Sequence, residues 1–192
     1  MRVYLKRIVL FLFILISLYC NAQVKKEDNR SFGDKFLWGG NFSFQFGTVT
    51  NVEISPIVGY YITPKWAAGV GFKYEFYKYN FDSTEFSTHI YGGKVFTNYV
   101  LISDMSEYIP LGLEAGIFTH LEYEALSLER KYFDYPYFPE NGRFIMHSVF
   151  LGGGFRFPIG TYSSFDMMIL WNLNDSPGSI YNNPIFRFGF NF

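Results

Sequence analysis

His120, Glu122 and Glu124 occupy alternate positions in the stretch FTHLEYEAL. On an extended strand that spacing puts all three side chains on one face, about 6.6–6.8 Å apart in succession. An imidazole and two carboxylates so placed offer ligands for a divalent cation, or an acid and a base. The plainer reading is a polar strip near the outer rim of an enclosed interior. His147 and Ser148 are the other candidate pair, but adjacent residues of a strand point to opposite faces, which disfavours direct proton transfer between them. His89 falls near the end of a strand-like stretch, where a rim position at an interface accounts for it. LGGGF at 151–155 has no following helix to cradle a phosphate, so close backbone packing is its better use. No cofactor and no metal are expected.

The elements that position these residues are strands. Eight stretches alternate apolar with polar positions, and none shows a helical period. The first, about 38–48, sets Phe42, Phe44 and Phe46 against Asn41, Ser43 and Gln45; the second, 52–62, carries Ile54, Val58, Tyr60 and Ile62 on one face. ITPKW makes a tight turn in which Pro64 fixes φ, and the third stretch runs 66–79 through Val70, Phe72, Tyr74 and Phe76. The fourth is about 87–101. The fifth, 109–126, carries Leu111, Leu113, Ile117, Leu121 and Tyr123, and the sixth, 144–157, carries Ile145, Val149, Leu151, Phe155 and Phe157. After FPIGTY the seventh, 161–173, keeps Phe165, Met167, Ile169, Trp171 and Leu173 in register, and NPIFRFGFNF is the eighth. Its Phe186, Phe188, Phe190 and Phe192 alternate to the last residue, where a chain frays unless something holds it. An even number of antiparallel strands lets the last pair with the first and removes the exposed edge. The expected fold is all-β, an eight-stranded antiparallel up-and-down transmembrane β-barrel.

Compartment and composition agree with that fold. Arg2, Lys6 and Arg7 precede an apolar run from Ile8 to Leu18 and the small-residue site Cys20-Asn21-Ala22. This is the pattern of a cleaved secretory signal, too short to span a bilayer as a helix. Residues 1–22 are expected to be removed, 23–37 to form a periplasmic leader and 38–192 to form the barrel. Cys20 is the only cysteine, so the exported chain has no internal disulfide or thiolate metal site. Losing three positive charges moves the formal charge from −1 to −4, which leaves no basic patch for nucleic acid. Charged residues are 17% of the chain and aromatics 22%, against about 25% charged in ordinary domains. Abundant apolar surface without a long apolar run suits strands that meet lipid at every second residue.

Alternation alone does not distinguish a membrane barrel from a soluble one with its apolar face inward. The polar face decides. It carries Gly59, Gly69, Gly71, Gly152, Gly154 and Gly189 and scattered ionisable groups rather than the Lys and Glu density of a water-facing surface. Lys73, Lys94, Glu114, Arg156, Asp166 and Arg187 are expected to form an ion-pair network that plugs the lumen. Lys94, Glu114, Asp166 and Arg187 are expected at similar depth, about 17–23 Å from the periplasmic end. Mixed signs are informative because a lone charge in a narrow interior is costly. Longer connections, NFDSTEF, ERKYFDYPYFPENGR and NDSPGSIYNN, follow strands three, five and seven and are expected to face outward. In the second of these, Tyr132, Phe133, Tyr135, Tyr137 and Phe138 form a candidate surface for an extracellular protein or glycan, or else an aromatic belt.

A signal peptide, eight amphipathic strands and a final strand ending in Phe192 resemble the small outer-membrane barrels of the OmpX type and the OmpA transmembrane-domain type, over essentially the whole mature chain. The resemblance implies bacterial outer-membrane residence amid lipid and lipopolysaccharide, and assembly by the barrel assembly machinery. Phe186, Phe188, Phe190 and Phe192 resemble the signal which that machinery recognises. Activities within the group differ widely, so fold is implied more sharply than function. Some such barrels modify lipid A with a histidine and a serine near the outer rim; His147-Ser148 departs from their HxS spacing by one residue. A non-enzymatic structural or adhesive role is expected, with a lipid A-modifying enzyme and a narrow porin-like pore as alternatives.

Overall fold

The computed structural model describes residues 30–192 apart from 46–48, 82–83, 109–113, 134–141, 162, 175–178 and 182. The expected signal segment, most of the leader, and Phe46, Leu111 and Leu113 therefore lie outside the described residues. The strands are β1 (Phe36–Gln45), β2 (Val49–Thr63), β3 (Trp66–Phe81), β4 (Thr84–Ile102), β5 (Gly116–Glu129), β6 (Arg143–Pro158), β7 (Ser164–Asn172) and β8 (Ile185–Asn191). They close into one antiparallel barrel in chain order. Among the described residues helix is confined to 3-10 turns at Gly33–Lys35 and Met105–Glu107 and one α-helical turn, α1 (Arg130–Phe133).

The two-residue period decides the facing. On β5 and β7 burial alternates almost without fault, and the polar set is the inward one. Lys73, Glu75, Lys94, Glu122, Glu124, Asp166 and Arg187 are buried, while Trp38, Ile54, Phe72, Val95, Leu121, Ile169 and Phe186 are exposed. Rungs lead from Leu37 through Gly59, Gly69, Phe96, Glu122 and Phe150 to Asn172. Carrying the β7–β8 and β8–β1 registers onward returns to β1 ten residues beyond the start. A ten-residue shear over eight strands corresponds to a tilt of about 40°.

β8 closes onto β1 through the rungs Gly39↔Asn191, Gly40↔Phe190 and Asn41↔Gly189. Trp38 and Phe192 extend the seam by exchanging two backbone hydrogen bonds, at 2.9 and 2.6 Å. The strands pack tightly along Gly152, where a methyl group would run into the Ile169 carbonyl of β7.

Two connections differ from expectation. NFDSTEF is not an open loop: β3 and β4 continue pairing to Phe81↔Thr84, with Lys78 and Glu85 in an ion pair at 2.7 Å. Conversely, β5 begins at Gly116 rather than 109. The chain before it holds the turn Met105–Glu107, where Asp104 accepts from the Ser106 N–H at 2.8 Å and Met105 N–H donates to Ala115 C=O. That connection, on the same end as both termini, is thus longer than the β3–β4 turn, and the expected sorting of long and short loops holds only in part.

Beyond Tyr91↔Ser127, β4 has no rung with β5, so the β3–β4 hairpin stands above the rim with Thr84–Ile90 as a one-sided edge. Arg143 of β6 bridges the split, donating from Nη2 to the carbonyls of His89 and Ser127, each at 2.6 Å, and from Nε to Ser127 Oγ at 2.8 Å.

Candidate functional site

Among the described residues, five carboxylates and four cations of the interior meet in three nodes. Nearest the loop end, Lys73 of β3 reaches Glu75 at 3.1 Å, Glu53 of β2 at 3.2 Å and Glu124 of β5 at 4.0 Å. Lys73 also donates to the Tyr181 hydroxyl at 2.8 Å, and Tyr181 in turn donates to Glu124. Tyr181 comes from the β7–β8 connection and stands edge-on to Phe150, 5.0 Å between centroids. A loop side chain thereby enters the lumen and completes the node. In the middle node Glu122 accepts from Arg187 Nη1 at 2.8 Å and pairs with Lys94 at 3.3 Å. Its neighbour His120 lies 3.3 Å from Glu122 and 2.5 Å from Asn98 Oδ1. Toward the terminal end Arg156 makes a two-pronged contact with Asp166 at 2.9 and 2.6 Å, and Asn191 donates to the same carboxylate at 2.8 Å. Fork-on-carboxylate geometry is the strong form of such a pair.

Of the six residues expected in the lumen network, five lie in these nodes. Glu114 does not: it precedes β5, on the segment held by the Met105–Ala115 bond, and is exposed. Lys94 and Arg187 converge on one carboxylate, but Asp166 belongs to a separate node, so the four residues expected at similar depth do not share one. Alternation puts Glu122 and Glu124 on the inner face, as it does Glu53 and Glu75, without saying which cation each meets. That depends on register, which the hydrophobic pattern does not encode.

His120, Glu122 and Glu124 do share a face, but deep in the lumen rather than at the rim; all three are 5% exposed or less. Each is engaged with a cation, an amide or a hydroxyl, and among the described residues no three such groups are arranged to hold a metal ion. The cavity between Lys94, His120, Glu122 and Asp166 has a volume of about 10 Å³, room for about one water. Glu124 Oε2, Asn51 Oδ1 and Ser55 Oγ are buried without a hydrogen bond.

The interior is also more apolar than expected. Ile90, Leu126, Leu128 and Met146 form a buried cluster under the loop end, with Phe133 and Ile180 folded in from the connections. Phe118, Phe150, Met168 and Leu170 form a second cluster against Tyr181. Leu126-Ser127-Leu128 and Phe150-Leu151 sit among residues with apolar groups on both faces, so periodicity could not say which were inside.

Of the aromatic loop, Tyr135, Tyr137 and Phe138 lie outside the described residues. Tyr132 stacks on Phe86 of the raised hairpin at 4.3 Å, and Phe133 meets Tyr77 at 5.7 Å. On the hairpin itself Glu85 is held below the usual carboxylate range by the hydrogen bond and charge of Lys78. His147 is exposed while Ser148 is buried in the lumen. Phe186, Phe188 and Phe192 are exposed, and Phe190 packs between Phe42 and Phe165.

Fold and lumen together define a closed eight-stranded up-and-down barrel with its ionisable groups inside and its aromatic and aliphatic groups outside. No protein-family model matches the chain, and no curated protein matches it. Among solved structures, the N-terminal β-barrel domain of Pseudomonas aeruginosa OprF aligns with 11% identity and a TM-score of 0.46, over 82% of this chain and 94% of that one.

Proposed function

We propose that this chain is an integral barrel of the bacterial outer membrane with a non-enzymatic, structural or adhesive role. The observation that carries the reading is the inverted surface: large apolar side chains such as Trp38, Phe72, Leu121, Trp171 and Phe186 are 45–64% exposed around the wall, while nine ionisable groups of the three nodes face inward. So much exposed apolar surface is costly in water, at about 25 cal/mol per Å², and is matched by hydrocarbon. The rows Trp66↔Tyr99 and Tyr74↔Tyr91 lie eight residues apart, about 27 Å along the strand and about 20 Å along the axis at this tilt. Two aromatic rows on that scale suit the girdles that flank a membrane band.

The adhesive part draws support from the raised β3–β4 hairpin, whose Glu85–Ser87 stretch of β4 pairs with no strand on its far side, and from the aromatic rings of the β5–β6 connection beside it. Opposite facing of His147 and Ser148 favours this reading over a lipid A-modifying enzyme. Lipopolysaccharide as surrounding lipid, and recognition of Phe186, Phe188, Phe190 and Phe192 by the barrel assembly machinery, belong to the same proposal.

Fractionation with a boiled-against-unboiled gel tests it. A heat-dependent mobility shift in the outer-membrane fraction is the expected result; a soluble periplasmic protein with no shift would sink the membrane reading. For the role, cells bearing the barrel with residues 134–141 of the β5–β6 connection scrambled should assemble it normally yet lose adherence, and unchanged adherence would remove the adhesive part.

A further inference from the structure

One row of rungs crosses the outer wall from β3 to β8 through Trp66, Tyr99, Thr119, Gly153, Ile169 and Phe186. By the two-residue period all six positions face outward. Bulk runs out in the middle of the row, where a threonine and a bare glycine sit side by side between aromatic and branched neighbours. The wall is hollow there: a trough of about 500 Å³ opens over Thr119 and Gly153, a volume within the range of ligand pockets.

The neighbouring rows build its sides. Two residues toward the terminal end stand Ile117, Phe155, Met167 and Phe188, rung partners in series, of which the last three are exposed. Two residues toward the loop end stand Leu121 and Leu151, opposite each other and also exposed. The trough begins at Leu101 of β4, the extra residue where the β4–β5 register shifts, and reaches Phe188 of β8. Along the sheet that is four strand spacings, about 19 Å.

Nothing in this lining asks for a polar ligand. Thr119 donates its hydroxyl hydrogen to the Tyr99 carbonyl at 3.4 Å, and among the described residues no charged side chain borders the trough. A held water would lack the roughly two to four polar partners it needs. Gly153 owes its identity to packing, since a Cβ there would lie 2.4 Å from the Phe118 carbonyl oxygen. Thr119 is under no such constraint, being exposed on the outer face of β5.

Resting on the membrane reading above, we propose that the trough seats one hydrocarbon chain of a membrane lipid and holds it longer than the lipid around the rest of the wall. Shape decides the occupant. Two convex barrel walls meet along one line, so a second copy of this chain would bring only single side chains to the trough, whereas a flexible hydrocarbon lies along its length. Because the lining is apolar, the chain is recognised and not the headgroup. The test is native mass spectrometry of the full mature chain, folded in detergent and titrated with dipalmitoyl phosphatidylethanolamine, dipalmitoyl phosphatidylglycerol and dioctanoyl phosphatidylethanolamine. A heat-mobility check precedes each titration.

One palmitoyl lipid per barrel should survive the collisional energy that strips the others, with either headgroup, and the octanoyl lipid should not. Thr119→Trp fills the floor, and retention should fall about tenfold, the effect of losing roughly two methylenes of burial. Val70→Trp adds the same ring at an exposed site on β3 and should leave retention unchanged. Undiminished retention in Thr119→Trp, or an equal loss in Val70→Trp, overturns the proposal. So does retention by the unsubstituted protein that is nil, or that follows the headgroup rather than the chain length; that comparison stands even where a tryptophan variant fails to assemble. A dimer that Thr119→Trp dissociates would overturn it in favour of a second copy. Absence of any heat shift is failure of the membrane reading itself, seen before a lipid is added.

Discussion

At the scale of single residues, Lys73 faces more opposing charge than it can neutralise: three carboxylates surround one ammonium that is 1% exposed. Removing one partner of a buried pair costs about 3–5 kcal/mol, because the remaining charge stays desolvated. Lys73→Met should therefore lower barrel stability by about that amount, read as a shift in the urea midpoint of the heat-resistant band; an unchanged midpoint would mean the node is wetter than its burial implies. Tyr181→Phe keeps the ring against Phe150 and loses only the hydroxyl bonds to Lys73 and Glu124. About 1–3 kcal/mol is expected there, so the ranking of the two variants is itself a check. The sequence made the inward facing of Lys73 legible, since Phe72 and Tyr74 flank it on the opposite face. It gave no sign of Tyr181, whose connection has no period to read and whose role depends on the register of four other strands.

At the scale of elements, strand identity was legible wherever an apolar outer face backed a polar lumen face. It failed at the tip of the β3–β4 hairpin, where the polar run of Asn80, Asp82, Ser83 and Glu85 breaks the apolar alternation and resembled loop, although Thr88 and Ile90 lower on β4 are buried. Before β5 the alternation of Leu111 and Leu113 lies outside the described residues, and the described strand begins only at Gly116. Close strand approach makes its own prediction. Gly152→Val would force a side chain against the Ile169 carbonyl, and the heat-resistant form should be reduced severalfold in the membrane fraction; normal yield would show that β6 and β7 can part at no cost. Phe192→Asp places a charge on the exposed outer face beside the Trp38 seam. Insertion should fall while export is retained, judged by the ratio of barrel-form to total exported protein.

Considered as a whole molecule, the barrel carries side chains across its interior at several levels. Ile90, Leu126, Leu128 and Met146 close the loop end, the Lys73 and Glu122 nodes cross the middle, and Arg156 with Asp166 crosses near the terminal end. Planar bilayers containing the purified protein should therefore show no stepwise conductance, and discrete openings in the unsubstituted protein would favour the narrow-pore reading. Composition had already indicated apolar surface without membrane helices, and mixed charge without a basic face, because those are properties of totals. The apolar cap was not legible, since it is assembled from strand ends and connections.

The middle node also bears on the order of events in folding. Glu122 obtains Lys94 from β4, which adjoins its own strand, but Arg187 only from β8, across the lumen. A sheet of seven strands would hold that carboxylate with one cation instead of two, and would keep water about it. Docking of β8 therefore brings two changes together: it joins Trp38 to Phe192 at the wall and supplies the guanidinium that allows the interior to dry. An incompletely closed sheet would keep water about Glu122, so on the membrane reading proposed above the final zipping of the wall is coupled to entry into hydrocarbon.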